Sequence, residues 1–413
     1  MSVRRNRNSR GSVLVVGASI AGPTVAYWLA RYGFAVTVVE RTAGVRSGGY
    51  PIDIRGTAVD VVERMGILPQ VEAAHVHSRR TTFVDADGEV VGVVAMEDLT
   101  GSEAGRDIEL PRGTLTDKLY ALTCSESVSY RFNDTVETYA PCGAGVDVQF
   151  RSGERDRFDL IVGADGLHSR TRQLAFGPEK QFSHYLGHCF NLFSLPNELG
   201  LSSEAVIYSE PGRSAGAFAV GDSGTMSAFL NFATDEPPFG AHADLDEQRQ
   251  RTERMFAGDG WIVPRLIEAM KTADDLYFDT VGQIRMPAWS CGRVGLVGDA
   301  AFAPSFLSGQ GTSLALVGAY VLAGELASND EPAEAFASYE GIVRPFAEAN
   351  QALATKAGGS LLLPRTQQEL DARNRTLESI ASHRMPQALG DDPRKVHAML
   401  QLPDYSRFGK RAS

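Results

Sequence analysis

The sequence has few cysteines, no long apolar run and no excess of positive charge. Its four cysteines, at positions 124, 142, 189 and 291, show neither C-x-x-C spacing nor the density of a disulfide scaffold. This disfavours cysteine-based metal or redox chemistry and predicts free thiols in a reducing compartment. No stretch reaches the roughly 18 apolar residues of a membrane span. No apolar run of secretory-signal length follows the basic first ten residues, which we expect to form a disordered arm.

The charge and length narrow the class of protein further. Lys and Arg number 40 against 51 Asp and Glu, a formal net charge of −11, which argues against a nucleic-acid partner. A chain of 413 residues exceeds the size at which one core normally stops growing, so we expect two domains able to enclose a large cofactor. A cytoplasmic enzyme acting on a small molecule, without a membrane partner and either monomeric or homodimeric, fits these features.

The first part of the chain reads as strand, tight turn, helix and second strand. Residues 12–16 are a short β-branched run bounded by glycine, and apolar residues at helical spacing follow at once. A second apolar run covers residues 35–39 and ends in Glu40. This pattern predicts a βαβ unit with parallel strands, the start of a Rossmann-like α/β domain.

Later segments change character twice. Alternating strands at about 80–105 and 180–235 predict an antiparallel sheet and thus a second domain. Residues 293–298 return to buried-strand character, and residues 312–326 predict a long buried helix, so the first domain is completed late in the chain. We therefore predict a discontinuous nucleotide-binding domain (12–75, 106–178 and 280–350), a substrate domain (76–105 and 179–279) and a C-terminal helical region (351–413) in which residues 367–382 form a helix lying across both domains.

The turn after the first strand resembles a dinucleotide fingerprint. Its sequence is Gly17-Ala-Ser-Ile-Ala-Gly22, with Ser19 where the middle glycine usually stands. The first glycine permits the tight turn, the last permits close helix packing, and the helix N-terminus offers N–H groups to a pyrophosphate. A purely structural glycine turn is the alternative. Glu40, about 20 residues further on, is placed to accept hydrogen bonds from an adenosine ribose, and its charge disfavours a ribose 2′-phosphate. We therefore expect the bound nucleotide to be FAD or NAD rather than NADP. The alternative is that Glu40 is only a solvated carboxylate at the end of a strand.

Other candidate chemistries lack support in the sequence. His75 with His77, and His184 with His188, have spacings that suit metal ligands, but no carboxylate or cysteine partner repeats at matching spacing. Structural histidines are the better interpretation, and we predict no metal site. No nucleophile elbow of the G-x-S-x-G type is recognisable, and we predict no catalytic acid, base or nucleophile.

Two further motifs stand in order along the chain. The first is Asp159-Leu-Ile-Val-Gly-Ala-Asp-Gly-Leu-His-Ser-Arg-Thr-Arg172, and the second is Gly298-Asp-Ala-Ala-Phe-Ala-Pro-Ser-Phe-Leu-Ser-Gly-Gln-Gly-Thr312. They resemble the DG and GD motifs of the flavoprotein aromatic hydroxylases, the p-hydroxybenzoate hydroxylase family. With its length, the chain resembles the short two-domain members, which include tetracycline-inactivating and polyketide-tailoring enzymes.

The resemblance implies where FAD would bind. Asp299 would accept a hydrogen bond from a ribityl hydroxyl, unless it is an ordinary turn aspartate. The Gly309-Gln-Gly311 turn and the following helix N-terminus would face the flavin N1–C2 edge and stabilise the anionic reduced flavin without a charged side chain, unless the turn merely starts a helix. Arg112 would lie near the phosphates, although a surface arginine is nearly as good an interpretation, and Arg172 would assist. The Gly48-Gly49 pair would let backbone approach the ring. The full set of expected FAD-contacting residues is Gly17, Ser19, Ile20, Ala21, Gly22, Glu40, Arg41, Arg46, Gly49, Arg112, Asp165, Gly166, Asp299, Pro304, Gly309, Gly311 and Thr312.

The resemblance also implies a reaction. NADPH or NADH would reduce FAD transiently, and O2 would form a C4a-hydroperoxyflavin that inserts one oxygen atom into a small aromatic or polyketide-like substrate, as in secondary metabolism. Phe306 is the one residue expected near the substrate. A flavin reductase or dehydrogenase on the same scaffold, and a flavin-binding protein without turnover, are the alternatives. The substrate, and the choice among hydroxylation, epoxidation and Baeyer–Villiger chemistry, stay open at the sequence level.

Overall fold

The structure is a computed structural model that describes residues 9–46, 49–100, 103, 105–126, 128–238, 244–356, 362–381 and 393–409. The expected N-terminal arm before residue 9 and Gly48 lie outside the described residues.

The strands are numbered in chain order. They are β1 (Ser12–Val16), β2 (Ala35–Val39), β3 (Pro51–Ile54), β4 (Arg80–Val84), β5 (Val90–Ala95), β6 (Ile108–Pro111), β7 (Ser129–Arg131), β8 (Val136–Cys142), β9 (Gly145–Phe150), β10 (Arg155–Phe158), β11 (Leu160–Gly163), β12 (Ser183–Pro196), β13 (Glu204–Glu210), β14 (Arg213–Ala219), β15 (Thr225–Ala233), β16 (Tyr277–Ile284), β17 (Ser290–Cys291) and β18 (Val294–Leu296).

The helices are numbered in the same way. They are α1 (Ala21–Arg31), α2 (Thr57–Arg64), α3 (Leu68–Glu72), α4 (Met96–Thr100), α5 (Arg112–Ser125), α6 (Arg170–Phe176), α7 (Leu245–Met255), α8 (Val263–Thr272), α9 (Asp299–Phe302), α10 (Gly311–Ser328), α11 (Pro332–Lys356), α12 (Gln367–Ala381) and α13 (Pro393–His397). Short 3₁₀ turns cover Glu179–Gln181, Phe306–Ser308 and Ser406–Phe408.

A six-stranded sheet organises the nucleotide-binding part of the chain. Its order is β17-β18-β11-β1-β2-β7, and β1 pairs in parallel with both β2 and β11. The predicted βαβ unit is therefore confirmed. The strand predicted at 293–298 is shorter, spanning Val294–Leu296, and β18 extends the parallel set beside β11. Such strands are covered on both faces, which explains why β1, β11 and β18 are nearly continuous apolar runs.

A seven-stranded sheet forms the other layer, in the order β16-β12-β15-β14-β13-β4-β5. Its pairs are antiparallel except for that of β4 with β13, which is parallel. The boundary predicted at 279/280 falls inside β16, which carries this sheet to the edge of the nucleotide-binding part. A three-stranded meander, β10-β9-β8, and the pair β3-β6 complete the strands and had no counterpart among the predicted elements.

The helices that follow pack on different parts of the molecule. The helix predicted at 367–382 is observed as α12, and it lies against β5 and β13 of the seven-stranded sheet, whereas α13 contacts α11. The predicted helix at 312–326 is observed as α10, which begins one residue earlier and ends two later. In the part of the chain that is described, α10 alone has the length and apolarity of a membrane span, but 83% of it is buried, as in the core helix of a globular protein.

Candidate functional site

The candidate site lies where four neighbouring parallel strands end. Gly17 follows β1, Glu40 follows β2, Ala164-Asp165 follow β11, and Gly298-Asp299 come shortly after β18. Because these strands are parallel neighbours, their carboxyl ends meet at one edge of the sheet, where open α/β sheets bind ligands. The three glycine-bearing motifs found in the sequence therefore converge in space, although they are separated by up to 280 residues.

The first glycine turn is shaped by close backbone packing. Gly17 has φ +104°, and a Cβ built on it would lie 2.6 Å from the carbonyl oxygen of Ala164. A Cβ on Gly22 would lie 1.8 Å from the carbonyl oxygen of Gly17. Both positions thus require glycine, and the turn after β1 is held directly against the turn after β11. Ile20 and Ala21 are buried at the start of α1, while Ser19 stays half-buried at the turn.

Glu40 bridges the second strand and the glycine turn. One carboxylate oxygen accepts the backbone N–H of Ala18 at 2.9 Å, and the other accepts the N–H and hydroxyl of Thr42 at 3.0 and 2.9 Å. The side chain is therefore ordered at the turn and is not a freely solvated strand-end carboxylate. The oxygen bonded to Ala18 accepts only one hydrogen bond among the described residues, so it has further acceptor capacity for a ribose hydroxyl.

Three guanidinium groups gather beside the glycine turn. Arg112, the first residue of α5, donates from Nη2 to the hydroxyl of Ser19 at 2.9 Å, so it is not an unattached surface residue. Its aliphatic chain lies 3.4 Å from the Cβ position of Gly49. Desolvation lowers the pKa of Arg46, and the neighbouring charges of Arg41 and Arg112 lower it further. A pyrophosphate would relieve this mutual repulsion.

Asp165 serves the turn in which it lies. Its carboxylate accepts hydrogen bonds from the hydroxyl of Ser169 and from the N–H and hydroxyl of Thr171, at 2.9 and 3.1 Å for the latter two. Ser169 in turn caps α6 by accepting the N–H of Arg172 at 2.9 Å. The side chain thus shapes the turn, while Gly166, at φ +83° with open space around it, presents the backbone.

Asp299 has a different environment. Burial raises the pKa of its carboxyl, against the opposing charges of Arg112 and Arg172. Gly298 before it has φ +65°, and the Cβ position of Gly311 lies 3.7 Å from Asp299 Oδ1. Within the described ranges the carboxylate has no hydrogen-bond partner. This half-buried carboxyl group next to the α10 N-terminus can accept a hydrogen bond from a bound molecule or from water.

The turn that precedes α10 brings several predicted residues together. Gly309 adopts the left-handed conformation at φ +63°, and the first N–H groups of α10, starting at Gly311 and Thr312, have no partners within the helix. Pro304 is buried, and its carbonyl accepts from Gln283 Nε2 at 3.0 Å. Gln310 is fully buried, and among the described residues neither polar atom of its amide has a hydrogen-bond partner.

Two charged residues at this turn were not foreseen from the sequence. Arg55 is only 3% exposed, its Nη2 lies 2.7 Å from Asp53 Oδ2, and its Nη1 lies 3.2 Å from the Cβ position of Gly309. The sequence attributes the field at this turn to backbone groups alone, and the structure places a charged pair beside the turn. No sequence signal identifies the pair, because its proximity to Gly309 arises from the packing of β3 against α10.

An aromatic cluster lies beside the same turn. Phe306 is 39% exposed and stacks at a tilt on Phe190, with 4.8 Å between ring centroids, and Phe190 contacts Tyr277 at 5.7 Å. Tyr277 is 44% exposed, which is unusual for a large aromatic side chain. Phe306 was predicted near the substrate; Phe190 and Tyr277 were not, since the inward faces of β12 and β16 depend on tertiary packing. Exposed aromatic rings grouped in this way are typical of a binding surface.

A chain of ion pairs links this cluster to the second motif. Tyr277 donates its hydroxyl to Asp279 at 2.6 Å, and His168 Nε2 lies 3.1 Å from the same carboxylate. His168 Nδ1 lies 2.9 Å from Glu179, whose other oxygen accepts from Arg172 at 2.6 Å. Hydrogen bonds from Asp279 and Glu179 raise the pKa of His168 to about 10, so the imidazole is a cation at neutral pH.

Arg172, the last member of this series of ion pairs, contacts the third motif. Arg172 is fully buried and donates to the carbonyl oxygens of Ala300 at 3.1 Å and Leu167 at 2.6 Å. Its role is thus to hold the second and third motifs together. In the described segments no group of three His, Cys, Asp or Glu side chains is arranged to hold a metal ion. The rings of His75 and His77 lie at a tilt with 4.1 Å between their centroids, and Nδ1 of His75 is hydrogen-bonded to the backbone of Glu109.

The donor set fits an extended FAD molecule. A carboxylate stands at the ribose position, three guanidiniums and a helix N-terminus suit a pyrophosphate, and Asp299 offers an unpartnered carboxylate for a ribityl hydroxyl. A second helix N-terminus, that of α10, suits a flavin edge that gains negative charge.

Comparison with known proteins gives a consistent result. The model of a family described as an FAD binding domain matches residues 10–354. An uncharacterised protein of Mycobacterium tuberculosis (strain H37Rv) is 42% identical over 346 residues, covering 83% of this chain and 92% of that protein. A flavin-dependent monooxygenase from an unknown prokaryotic organism is 36% identical over 395 residues, covering 95% of this chain and 98% of that protein.

Solved structures agree with the sequence relatives. The crystal structure of tetracycline destructase Tet(55) superimposes with a TM-score of 0.81 at 35% identity, covering 96% of this chain and 99% of that one. The similarity extends over both sheets and is not confined to the glycine motifs.

Proposed function

The chain belongs to the FAD-binding-domain family of flavin-dependent monooxygenases, and on this premise we propose that it uses NADPH or NADH and O2 to insert one oxygen atom into a planar aromatic or polyketide-like substrate. The observation that carries the proposal is the convergence of three glycine-bearing motifs at one sheet edge, beside an exposed aromatic cluster. FAD, when bound, supplies the hydride acceptance and the oxygen activation. The side chains supply binding, orientation and exclusion of water.

Each group at the sheet edge has one role in this proposal. Glu40 accepts a hydrogen bond from the adenosine ribose, and Ser19, Arg41, Arg46 and Arg112 hold the phosphates. The argument rests on the fixed Glu40 carboxylate and on the mutual repulsion of the guanidiniums, which a phosphate anion removes. Ile20, Ala21, Gly49, Asp165 and Gly166 contribute backbone and shape.

Asp299 and the turn before α10 orient the reacting end. The half-buried carboxyl group accepts a hydrogen bond from a ribityl hydroxyl, which supplies the partner that it lacks among its described neighbours. Pro304, Gly309, Gly311 and Thr312 then form the surface beside the isoalloxazine. The N–H groups of the first turn of α10 favour negative charge at this point, which assists hydride acceptance.

The substrate lies against the aromatic cluster in this proposal. Phe306, Phe190 and Tyr277 present ring faces and edges, and offset or edge-on stacking with an aromatic partner contributes about 0.5–1.5 kcal/mol beyond area burial. Phe306 is in the short turn just ahead of Gly309, so a substrate on this ring is close to the isoalloxazine. The tetracycline destructase named above makes tetracycline a rational first probe.

Location and assembly stay proposals. All four cysteines are free thiols, which supports a reducing cytoplasm. Monomeric and homodimeric states are both compatible with the chain.

The decisive experiment starts with an absorption spectrum of the purified protein. We expect FAD bound in a near-stoichiometric amount, bleaching by NADPH or NADH under nitrogen, and recovery of colour with O2. Products from a panel of phenols, aromatic polyketides and tetracycline should gain one atom from labelled O2. Asp299→Asn should lower FAD occupancy substantially, whereas Asp330→Asn, a change of an exposed carboxylate, should not.

The alternatives give different results in the same experiment. A reductase or dehydrogenase would bleach with the nicotinamide but leave every panel compound without new oxygen. A flavin-binding protein without turnover would be yellow and would not bleach. A colourless protein that cannot be reconstituted with FAD would contradict the proposal outright.

A further inference from the structure

A buried ion pair lies directly behind the turn that precedes α10. Arg55 and Asp53 flank Ile54 at the end of β3, and their side chains meet at 2.7 Å. A Cβ built on Gly309 would lie 3.2 Å from Arg55 Nη1 and 3.6 Å from Asp53 Oδ2. Both charged groups therefore lie on the side of Gly309 where a side chain would project, next to the turn that, in the proposed function, borders the isoalloxazine.

The pair is fixed to α10 as well as to the turn. The backbone N–H of Arg55 donates to Ser313 Oγ at 3.1 Å, and Ser313 Oγ donates to the carbonyl of Asp53 at 3.4 Å. Ser313 is fully buried in the first turn of α10. The two charges thus keep a constant position relative to the first N–H groups of that helix.

The pair differs in exposure between its members. Arg55 is 3% exposed, whereas Asp53 is 26% exposed. Facing Asp53 across the β3–β6 pair is Glu109, whose pKa is raised by burial and then by the charge of Asp53. Arg55 is therefore the cation that balances a carboxylate-rich edge next to the turn.

The charges beside this turn affect how readily a bound flavin accepts a hydride. A hydride from NADPH or NADH brings two electrons and one proton to a neutral isoalloxazine, which becomes an anion with its charge near N1 and C2, and leaves NADP+ or NAD+. A nearby cation stabilises this anion and a nearby carboxylate opposes it, most strongly where solvent screening is weak.

We propose that the Asp53–Arg55 pair sets the reduction potential of the bound flavin through the Gly309–Gly311 turn, with Arg55 raising the potential and Asp53 lowering it. The inference rests on the proposed function, because it requires the isoalloxazine at this turn. From the sequence, stabilisation of the reduced flavin is ascribed to the turn and the helix N-terminus. The inference ascribes a part of that electrostatic effect to the Asp53–Arg55 pair.

The test compares variants of opposite sign. Holoenzymes of wild type, Arg55→Met, Arg55→Lys and Asp53→Asn are titrated anaerobically against a reference dye at pH 7, and FAD occupancy is read from the absorbance ratio. We expect Arg55→Met to lower the ratio of reduced to oxidised flavin at fixed ambient potential about tenfold, which is about 30 mV for a two-electron couple. Asp53→Asn should raise that ratio, and Arg55→Lys should stay near wild type because it keeps the charge.

Opposite shifts separate a field effect from a packing effect. Damage to the fold would move Arg55→Met and Asp53→Asn in the same direction, and either that result or two unchanged potentials would overturn the proposal. If Arg55→Met does not retain FAD, the Asp53→Asn variant alone decides the test. A flavin reduction potential in Asp53→Asn that is equal to or below that of wild type contradicts the inference. A wild-type protein that binds no FAD would instead refute the proposed function.

Discussion

His168 offers the sharpest test of the ion-pair chain that joins the second motif to the aromatic cluster. Its imidazole lies between Asp279 and Glu179, and these two hydrogen bonds raise its pKa from 6.5 to about 10. Because the folded-state pKa exceeds the unfolded one, the stabilisation is fully present below pH 6.5 and is lost as the pH rises through about 10. His168→Gln removes this pH-dependent contribution.

The magnitude follows from the pKa and the exposure. One pKa unit corresponds to about 1.4 kcal/mol, so the rise from 6.5 to about 10 sets an upper bound of about 5 kcal/mol. The side chain is 44% exposed, and solvent screening reduces the contribution to about 1–2 kcal/mol. We therefore expect wild type to be more stable than His168→Gln by this amount at pH 6.5 and by little at pH 10.

The assay is urea unfolding followed by tryptophan fluorescence at pH 6.5, 8 and 10. His184→Gln is the matched control, because desolvation, and then the charge of Arg285, shift the pKa of His184 downwards, opposite to His168. The difference between wild type and His184→Gln should therefore stay flat or rise with pH, and should not fall. A difference between wild type and His168→Gln that is equally flat would refute the reasoning, and a direct titration of labelled histidine by NMR would locate the error.

Three further changes test other parts of the site. Glu40→Gln should weaken FAD binding about tenfold, as the loss of a charged hydrogen-bond acceptor costs about 1.5 kcal/mol, while urea unfolding of the apoprotein stays close to wild type; unchanged FAD affinity would remove the ribose role. Gly22→Ala should lower the melting temperature by several degrees or prevent folding, because the new Cβ meets the Gly17 carbonyl at 1.8 Å. Arg172→Met should destabilise the protein by about 3 kcal/mol, since it leaves the buried carbonyl of Ala300 and one oxygen of Glu179 without their donor; a melting curve that superimposes on wild type would show that the two motifs are held by other contacts.

The sequence predicted the nucleotide-binding sheet well because its determinants are local. An apolar run followed by Gly17 and a helical pattern identifies β1 and α1 without reference to the rest of the chain. The end of β18 was predicted two residues too late, since buried-strand character continues through Val297, whose N–H still bonds Gly163. The parallel contact of β4 with β13 could not be predicted, because it joins segments about 120 residues apart whose register depends on the whole sheet.

The same distinction between local sequence signals and tertiary packing applies to the residues of the candidate site. Motif residues could be named from the sequence because glycine, acid and spacing carry the signal within each turn, although their contacts with FAD stay predictions. Arg55 and Tyr277 have no such local signal. The position of Arg55 arises because β3 packs on α10. The position of Tyr277 arises because β16, an edge strand of the seven-stranded sheet, contacts α9 of the third motif. Residues whose positions depend on contacts between distant segments are thus the ones that a motif search misses.

That division has a physical cause in the way the two sheets are joined. The Ala300 carbonyl, adjacent to Asp299, is held by Arg172, and the chain of charges continues through Glu179, His168 and Asp279 to the hydroxyl of Tyr277. Cations and carboxylates alternate along it, so the buried charges of Arg172 and Asp279 each have a neighbour of opposite sign. Tyr277, and Phe190 packed beside it, are therefore linked to the third motif by this series of side chains as well as by the backbone hydrogen bond from the Ile284 N–H to the Ala303 carbonyl. Sequence change in the seven-stranded sheet can alter these two rings while the glycine motifs stay the same, provided that Asp279 and its partners remain.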